Sequence, residues 1–244
     1  YLIPFNTQEA KYINRVEISM RPGSHHFIVY FPGRNIASNN LPNLNEFRYL
    51  YDENGTIDND ISGQLNSNEF FNGTQWIYMS YDYPEGVAMK IEPGTFFDLN
   101  SHYLNTSDSI IQGEVHFNLY YVPESEVQHE AHIFQCNNDD ITLPPQTVTT
   151  LTYDCIINRN MTMFQLYSHS HSKTIDFRVE IVGGSRDGEQ IYYANDWEHP
   201  PIAVYDDLTL TAGQKLRMIT TYNNDTDQEI NFGFMSTDEM MILF

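Results

Sequence analysis

Basic side chains are scarce. Lys and Arg number 12 against 33 Asp and Glu, a net charge of -21 over 244 residues. Nucleic acid and anionic membranes both need a positive protein face, so neither is an expected partner. The same charge favours solubility and draws cations. Long apolar runs are missing as well. No stretch reaches the roughly 18 apolar residues that a spanning helix needs, so no membrane insertion is expected. Cysteine is nearly absent: Cys136 and Cys155 are the only two, and they do not form a C-x-x-C pattern. Two readings stay open for them, a disulfide if the protein is exported and a pair of buried free thiols otherwise. Amphipathic helical periodicity, solenoid repeats and the helical zinc motif H-E-x-x-H are also absent.

What the chain does hold is aromatic residues and short alternating runs. It has 17 Tyr and 15 Phe. Strand-like runs cover Tyr12 to Met20, His25 to Phe31, Trp76 to Tyr81, Ala88 to Ile91, Gly113 to Val122, Thr147 to Ile157 and Thr174 to Val182. A hairpin turn is expected at Gly183–Gly188 with a return strand from Glu189 to Ala194, and Asp207 to Thr220 reads as strand, turn, strand. Many short strands between Gly, Pro and Asn turns predict an all-β protein. Residues 34–75 read as long loops. Within them, Asp52 to Asp60 has the composition of a calcium loop, without its ordered ligand spacing or closing Glu. Five N-x-S/T sequons, at Asn54, Asn72, Asn105, Asn160 and Asn224, barely discriminate in an Asn-rich chain. The start at Tyr1, in what reads as a strand lead-in, fits a removed leader. The expected location is extracellular or periplasmic.

Histidine carries the chemistry. The run from Met163 to His171 alternates like a strand, and period 2 sends His169 and His171 to one face. Two imidazoles on one strand make half of a metal site. His25 and His26 are adjacent, so both can reach one ion only where the strand is kinked, and Pro22-Gly23 can supply the kink. His102 is the third place. His116 sits on the phase opposite Val115 and Phe117 and reads as solvent-facing. Imidazole suits copper, zinc, iron and nickel alike, whereas the thioethers near the end, at Met235, Met240 and Met241, favour Cu(I).

Together these motifs resemble the copper type II, ascorbate-dependent monooxygenases, the family of peptidylglycine α-hydroxylating monooxygenase and dopamine β-monooxygenase. Arg21-Pro22-Gly23-x-His25-His26, Ser101-His102-Tyr103, Leu143-Pro144-Pro145 followed by Cys155 and His169-x-His171, Glu198-His199-Pro200, and Ser236-Thr237-Asp238-Glu239-Met240 occur in the family's order along nearly the whole chain. Each motif is weak, and the ordered set is the specific part. The resemblance implies two tandem antiparallel β-sandwich, jelly-roll-like domains, expected at 1–125 and 126–244, with the polar segment 123–131 as the crossing. It assigns His25, His26 and His102 to an electron-transfer copper, and His169, His171 and Met240 to the copper that works on oxygen and substrate. It also implies O2 as co-substrate and a reductant such as ascorbate. Met235, Met241 and His199 are not ligands in that pattern, and His129 and His132 read as solvated. Cys155 matches a family position, and Cys136 would be a substitute partner for it.

The substrate does not carry over. The family's carboxylate-binding Arg before His-x-His is Tyr167 here, and the Asn and Tyr after the ligand Met are Ile242 and Phe244. Tyr, Ile and Phe cannot pair with a carboxylate as Arg does. A small neutral or cationic organic substrate is expected, and not a peptidylglycine. The alternatives are a non-catalytic copper-binding β-sandwich and a carbohydrate- or surface-binding sandwich that would use its Tyr residues, Trp76 and Trp197.

Overall fold

The computed structural model describes residues 1–32, 41–50, 52, 56, 58, 68–103, 105, 107–235 and 237–244. The calcium-like segment falls mostly outside these residues. Strands hold 53% of the chain, and no α-helix occurs among the described residues, which makes the protein all-β. Among the described residues there is accordingly no helix long and apolar enough to cross a membrane. The chain divides into two compact units, Tyr1–Ile133 and Phe134–Phe244.

The first unit contains β1 (Leu2–Pro4), β2 (Lys11–Met20), β3 (Ser24–Phe31), β4 (Glu69–Thr74), β5 (Tyr78–Asp82), β6 (Val87–Ile91), β7 (Phe96–Tyr103), β8 (Val115–Val122) and β9 (His129–Glu130). One sheet runs β1-β7-β3-β4; the other runs β5-β2-β6-β9, with β8 on the opposite edge of β2. Strand β2 shows how sequence sets this layer. Ile13, Val16, Ile18 and Met20 are buried while Arg15, Glu17 and Ser19 alternate outward, and the phase slips once, at a bulge between Ile13 and Arg15. The core between the sheets is aromatic. Phe117 of β8 lies 6.0 Å from Phe27, 6.2 Å from Phe71 and 6.1 Å from Phe97, ring centre to ring centre, and those three belong to the facing sheet. This is sandwich packing.

Three expectations change here. The loop region 34–75 contains β4, whose central Asn72-Gly73 hides its strand character. Gly73 is required there: a Cβ on it would sit 2.9 Å from the carbonyl oxygen of Phe27. Segment 123–131 belongs to the first unit, because β9 pairs in parallel with β6, one parallel ladder among antiparallel ones. The division between units accordingly falls after Ile133.

The second unit contains β10 (Cys136–Asn137), β11 (Thr142–Leu143), β12 (Thr147–Ile156), β13 (Met161–Leu166), β14 (Ser168–His169), β15 (Thr174–Val182), β16 (Gln190–Ala194), β17 (Ala203–Leu210), β18 (Lys215–Asn224), β19 (Ile230–Asn231) and β20 (Ile242–Leu243). The main sheet is β12-β18-β15-β16; β13-β17, β10-β20-β14 and β11-β19 form smaller ladders. Phe177, Val179, Ile181, Leu216 and Met218 of the main sheet share one core with Met163, Leu166, Leu208, Leu210, Met241 and Leu243. The expected hairpin at Gly183–Gly188 joins β15 to β16.

Cys136 and Cys155 form a disulfide, with a sequence separation of 19. It links β12 of the main sheet to β10, which pairs with β20. Replacing both cysteines with Ser should cost about 3 kcal/mol, mainly by loosening the unfolded chain's constraint. Urea denaturation with and without reductant checks this: reductant should lower the wild-type midpoint to that of the double variant.

A second stabilising contact crosses β12 and β18. Arg217 grips both oxygens of Asp154, at 2.7 and 3.0 Å, and Lys215 donates to one of them at 2.9 Å. The Arg217 hydrogen bond, helped by Lys215, lowers the Asp154 carboxyl to about 2. A depressed carboxylate stabilises above its unfolded pKa near 4 and loses that contribution as pH falls through its folded value. Because all three groups are partly exposed, Asp154→Asn should cost only about 1 kcal/mol at pH 7. Thermal melts of wild type and variant should differ at pH 7 and converge near pH 2.

Candidate metal centres

The first centre is assembled by a bulge. The β3–β7 ladder sets His26 opposite His102, and its register slips between Ser24 and His26. On a regular strand His25 and His26 would point apart. The slip, with Gly23 at φ 97° just before it, turns both to one place. Ring centres are 5.1 Å apart for His25–His26, 5.3 Å for His25–His102 and 4.9 Å for His26–His102. One ligand nitrogen from each lies within 4.8 Å of the others, and all three side chains are half-buried. Nitrogens bound at about 2 Å to one ion sit closer than this, so small ring rotations complete the set. Burial, and then the neighbouring His25, push the His102 imidazole below its ordinary pKa. It is held neutral, the form that ligates. Three imidazoles fit a copper ion in either oxidation state, and they fit zinc as well.

The second centre lies in the other unit, and its backbone differs from the expected continuous strand. β13 stops at Leu166, β14 holds only Ser168 and His169, and His171 follows in a turn. The two rings still meet, with centres 5.2 Å apart. Pairing of β14 with β20 places His169 opposite Ile242 and Ser168 opposite Leu243. Met241 and Leu243 enter the core cluster, whereas Met240 and Ile242 alternate away from it. The pairing puts Ile242 on the face that carries His169, with Phe244 next on that side, while Met240 lies buried just before β20. Tyr167 and Phe244 exchange backbone hydrogen bonds, and their rings stack with centres 5.1 Å apart. Two imidazoles joined by a thioether would make a donor set that favours Cu(I).

A supporting shell fixes this arrangement. The His171 ring bonds through Nδ1 to the Asp238 carbonyl oxygen at 2.9 Å. A carbonyl only accepts, so the proton is on Nδ1 and Nε2 carries the lone pair. Glu239, fully buried, accepts from the backbone N–H of His171 at 3.0 Å, Lys173 at 2.6 Å and Met240 at 3.3 Å. Burial raises the Glu239 carboxyl to about 7, against the pull of those N–H groups. Tyr222 donates to the Met240 carbonyl oxygen at 3.0 Å, and Ser168 N–H donates to the Tyr192 hydroxyl at 3.1 Å. Sequence reading missed Glu239, Tyr192 and Tyr222. An acidic residue beside a Met reads as surface, and core tyrosines give no sign of what their hydroxyls hold.

The remaining histidines stay outside both sets. His116, His129 and His132 are exposed, and His199 lies 3.7 Å from Asp196. Met235 is exposed, and Met241 belongs to the core.

No family model matches the chain, and no curated protein matches it. Among solved structures it is similar to the structure of infectious bursal disease virus Gx strain at 10% identity, over 96% of this chain and 61% of that chain, with a TM-score of 0.22. It is also similar to the infectious bursal disease virus VP2 subviral particle at 10% identity, over 96% and 62%, with a TM-score of 0.20. The chain thus spans about three-fifths of the length of those proteins. Superpositions this loose leave the functional reading to the chain's own residues.

Proposed function

We propose that the protein is a copper-dependent monooxygenase. It hydroxylates a C–H bond of a small organic substrate with O2 and an external reductant such as ascorbate. The observation that carries this reading is the pair of histidine groups, one in each unit: His25 and His26 with His102, joined across the β3–β7 ladder, and His169 with His171. His25, His26 and His102 would hold the electron-storing copper. His169, His171 and Met240 would hold the copper at the oxygen and substrate side. Copper supplies one-electron redox chemistry at both places, which meets the two-electron demand of hydroxylation without an organic cofactor.

The chain's residues divide the remaining work. Burial keeps His102 neutral as a donor. Asp238 and Glu239 orient His171 and anchor the backbone of Met240. The Tyr167–Phe244 stack and Ile242 form an apolar wall beside His169, with no cation among them to take a carboxylate. A neutral or cationic substrate fits that wall, and a C-terminal glycine carboxylate does not. We further read the protein as exported, since a disulfide persists in oxidising compartments.

The test is oxygen uptake by copper-loaded protein with ascorbate, across neutral and cationic amines, aromatics and peptides ending in glycine. Uptake matched by a hydroxylated product from the neutral or cationic set supports the proposal. Stoichiometric copper without product would leave a copper-binding sandwich, and no stoichiometric copper would leave a carbohydrate- or surface-binding one.

A further inference from the structure

Three of the sequons lie wholly within the described residues, and the fold treats them differently. Asn224 ends β18 and is fully buried. Its Nδ2 donates to the carbonyl oxygens of Leu143 at 2.9 Å, Pro144 at 3.1 Å and Gln228 at 2.8 Å. That nitrogen is the atom a sugar would occupy. A glycosylated amide keeps one N–H, which cannot serve three carbonyls, and the site has no room for a saccharide. Asn72 lies mid-strand in β4, half-buried, and Gly73 beside it packs against β3. Asn160 is the open case. It is exposed in the turn between β12 and β13, and its Oδ1 accepts from Ala212 N–H at 3.0 Å. That bond faces the carbonyl oxygen and leaves the Nδ2 side outside the contact. Thr162, the hydroxyl residue of the sequon, is exposed as well.

We infer that Asn160 is an N-glycosylation site and that Asn224 stays unmodified in the folded protein. The donor class is a lipid-pyrophosphate-linked oligosaccharide. A bond forms from Asn160 Nδ2 to the anomeric carbon, the bond from that carbon to the lipid pyrophosphate breaks, and the amide proton is lost to solvent. Nothing is oxidised or reduced. Attachment precedes completed folding, so a chain modified at Asn224 cannot close the turn that its amide holds, and such chains drop out before secretion. Asn160 lies at the start of β13, the end remote from His169, so its glycan leaves the second histidine pair uncovered.

The experiment is expression of the full chain through a eukaryotic secretory pathway. Glycosidase release in heavy-oxygen water, with peptide mass mapping, then marks each modified Asn as Asp. The expected result is a mark at Asn160, none at Asn224, and loss of one glycan from the intact mass in Asn160→Gln at unchanged secreted yield. An unmarked Asn160, or a marked Asn224 in secreted, folded protein, overturns the inference. Thr162→Ala, which keeps Asn160 itself, separates the sequon from the side chain: it should remove the same glycan, and its retention would count against the assignment.

Discussion

His102→Ala is expected to remove copper from the first unit and leave the second unit loaded. His102 is the only member of its cluster on β7, and β3 alone supplies two imidazoles. Loss of outer-shell support typically weakens a metal site 10- to 100-fold, and loss of a direct ligand should cost roughly 100-fold or more. The effect should stay local, because the histidines of the second site lie in a separate compact unit with its own core. Competition with a chelator of known copper affinity reads both sites: one tight equivalent should disappear and the other should be unchanged. His116→Ala is the control. His116 is exposed on β8, with Glu114 as its ionic neighbour at 3.4 Å, and its replacement should alter neither equivalent. Equal weakening by both variants would mean that the imidazoles bind copper as scattered surface groups.

Glu239→Ala should be the most damaging single change to the second unit. The buried carboxylate satisfies three backbone N–H groups, two of them, of His171 and Met240, buried and that of Lys173 partly so. Leaving each donor unpaired costs about 1–3 kcal/mol, so a total of about 4 kcal/mol is expected after partial relaxation. The turn from His171 to Lys173 and the backbone at Met240 would part, which should lower Cu(I) affinity at that site about 10- to 100-fold. Calorimetry should show the second unit melting earlier with the first unchanged. Glu239→Gln should fall between, since its amide keeps one acceptor oxygen but turns an NH2 group toward another donor. An unperturbed melt for Glu239→Ala would mean that water replaces the carboxylate, and it would remove Glu239 from the supporting shell.

Where alternation was clean, the strands were legible. β15 follows period 2 with Phe177, Val179 and Ile181 buried, β2 does so apart from its one slip, and β8 alternates half-buried Val115, Phe117 and Leu119 with exposed neighbours, so their faces could be assigned from sequence. β7 was hidden because a buried Asp98 interrupts its apolar phase, and β20 because two residues cannot display a period. The histidine motifs were legible as residues and the resemblance grouped them, but the backbone geometry that makes them converge was not legible. It depends on the slip beside His26 and on the β3–β7 and β14–β20 registers, which pair segments far apart in the chain. Glu239 illustrates the opposite failure. Charge at that position predicts exposure, and only the three N–H donors around it make burial affordable.

Copper stoichiometry and Cu(I) affinity, measured side by side on reconstituted wild type and Met240→Ile, test the central claim most directly. Two coppers per chain in wild type, with one site selectively weakened for Cu(I) in the variant, is the expected result. One copper or none in wild type, or a variant indistinguishable from it, would contradict a two-centre monooxygenase.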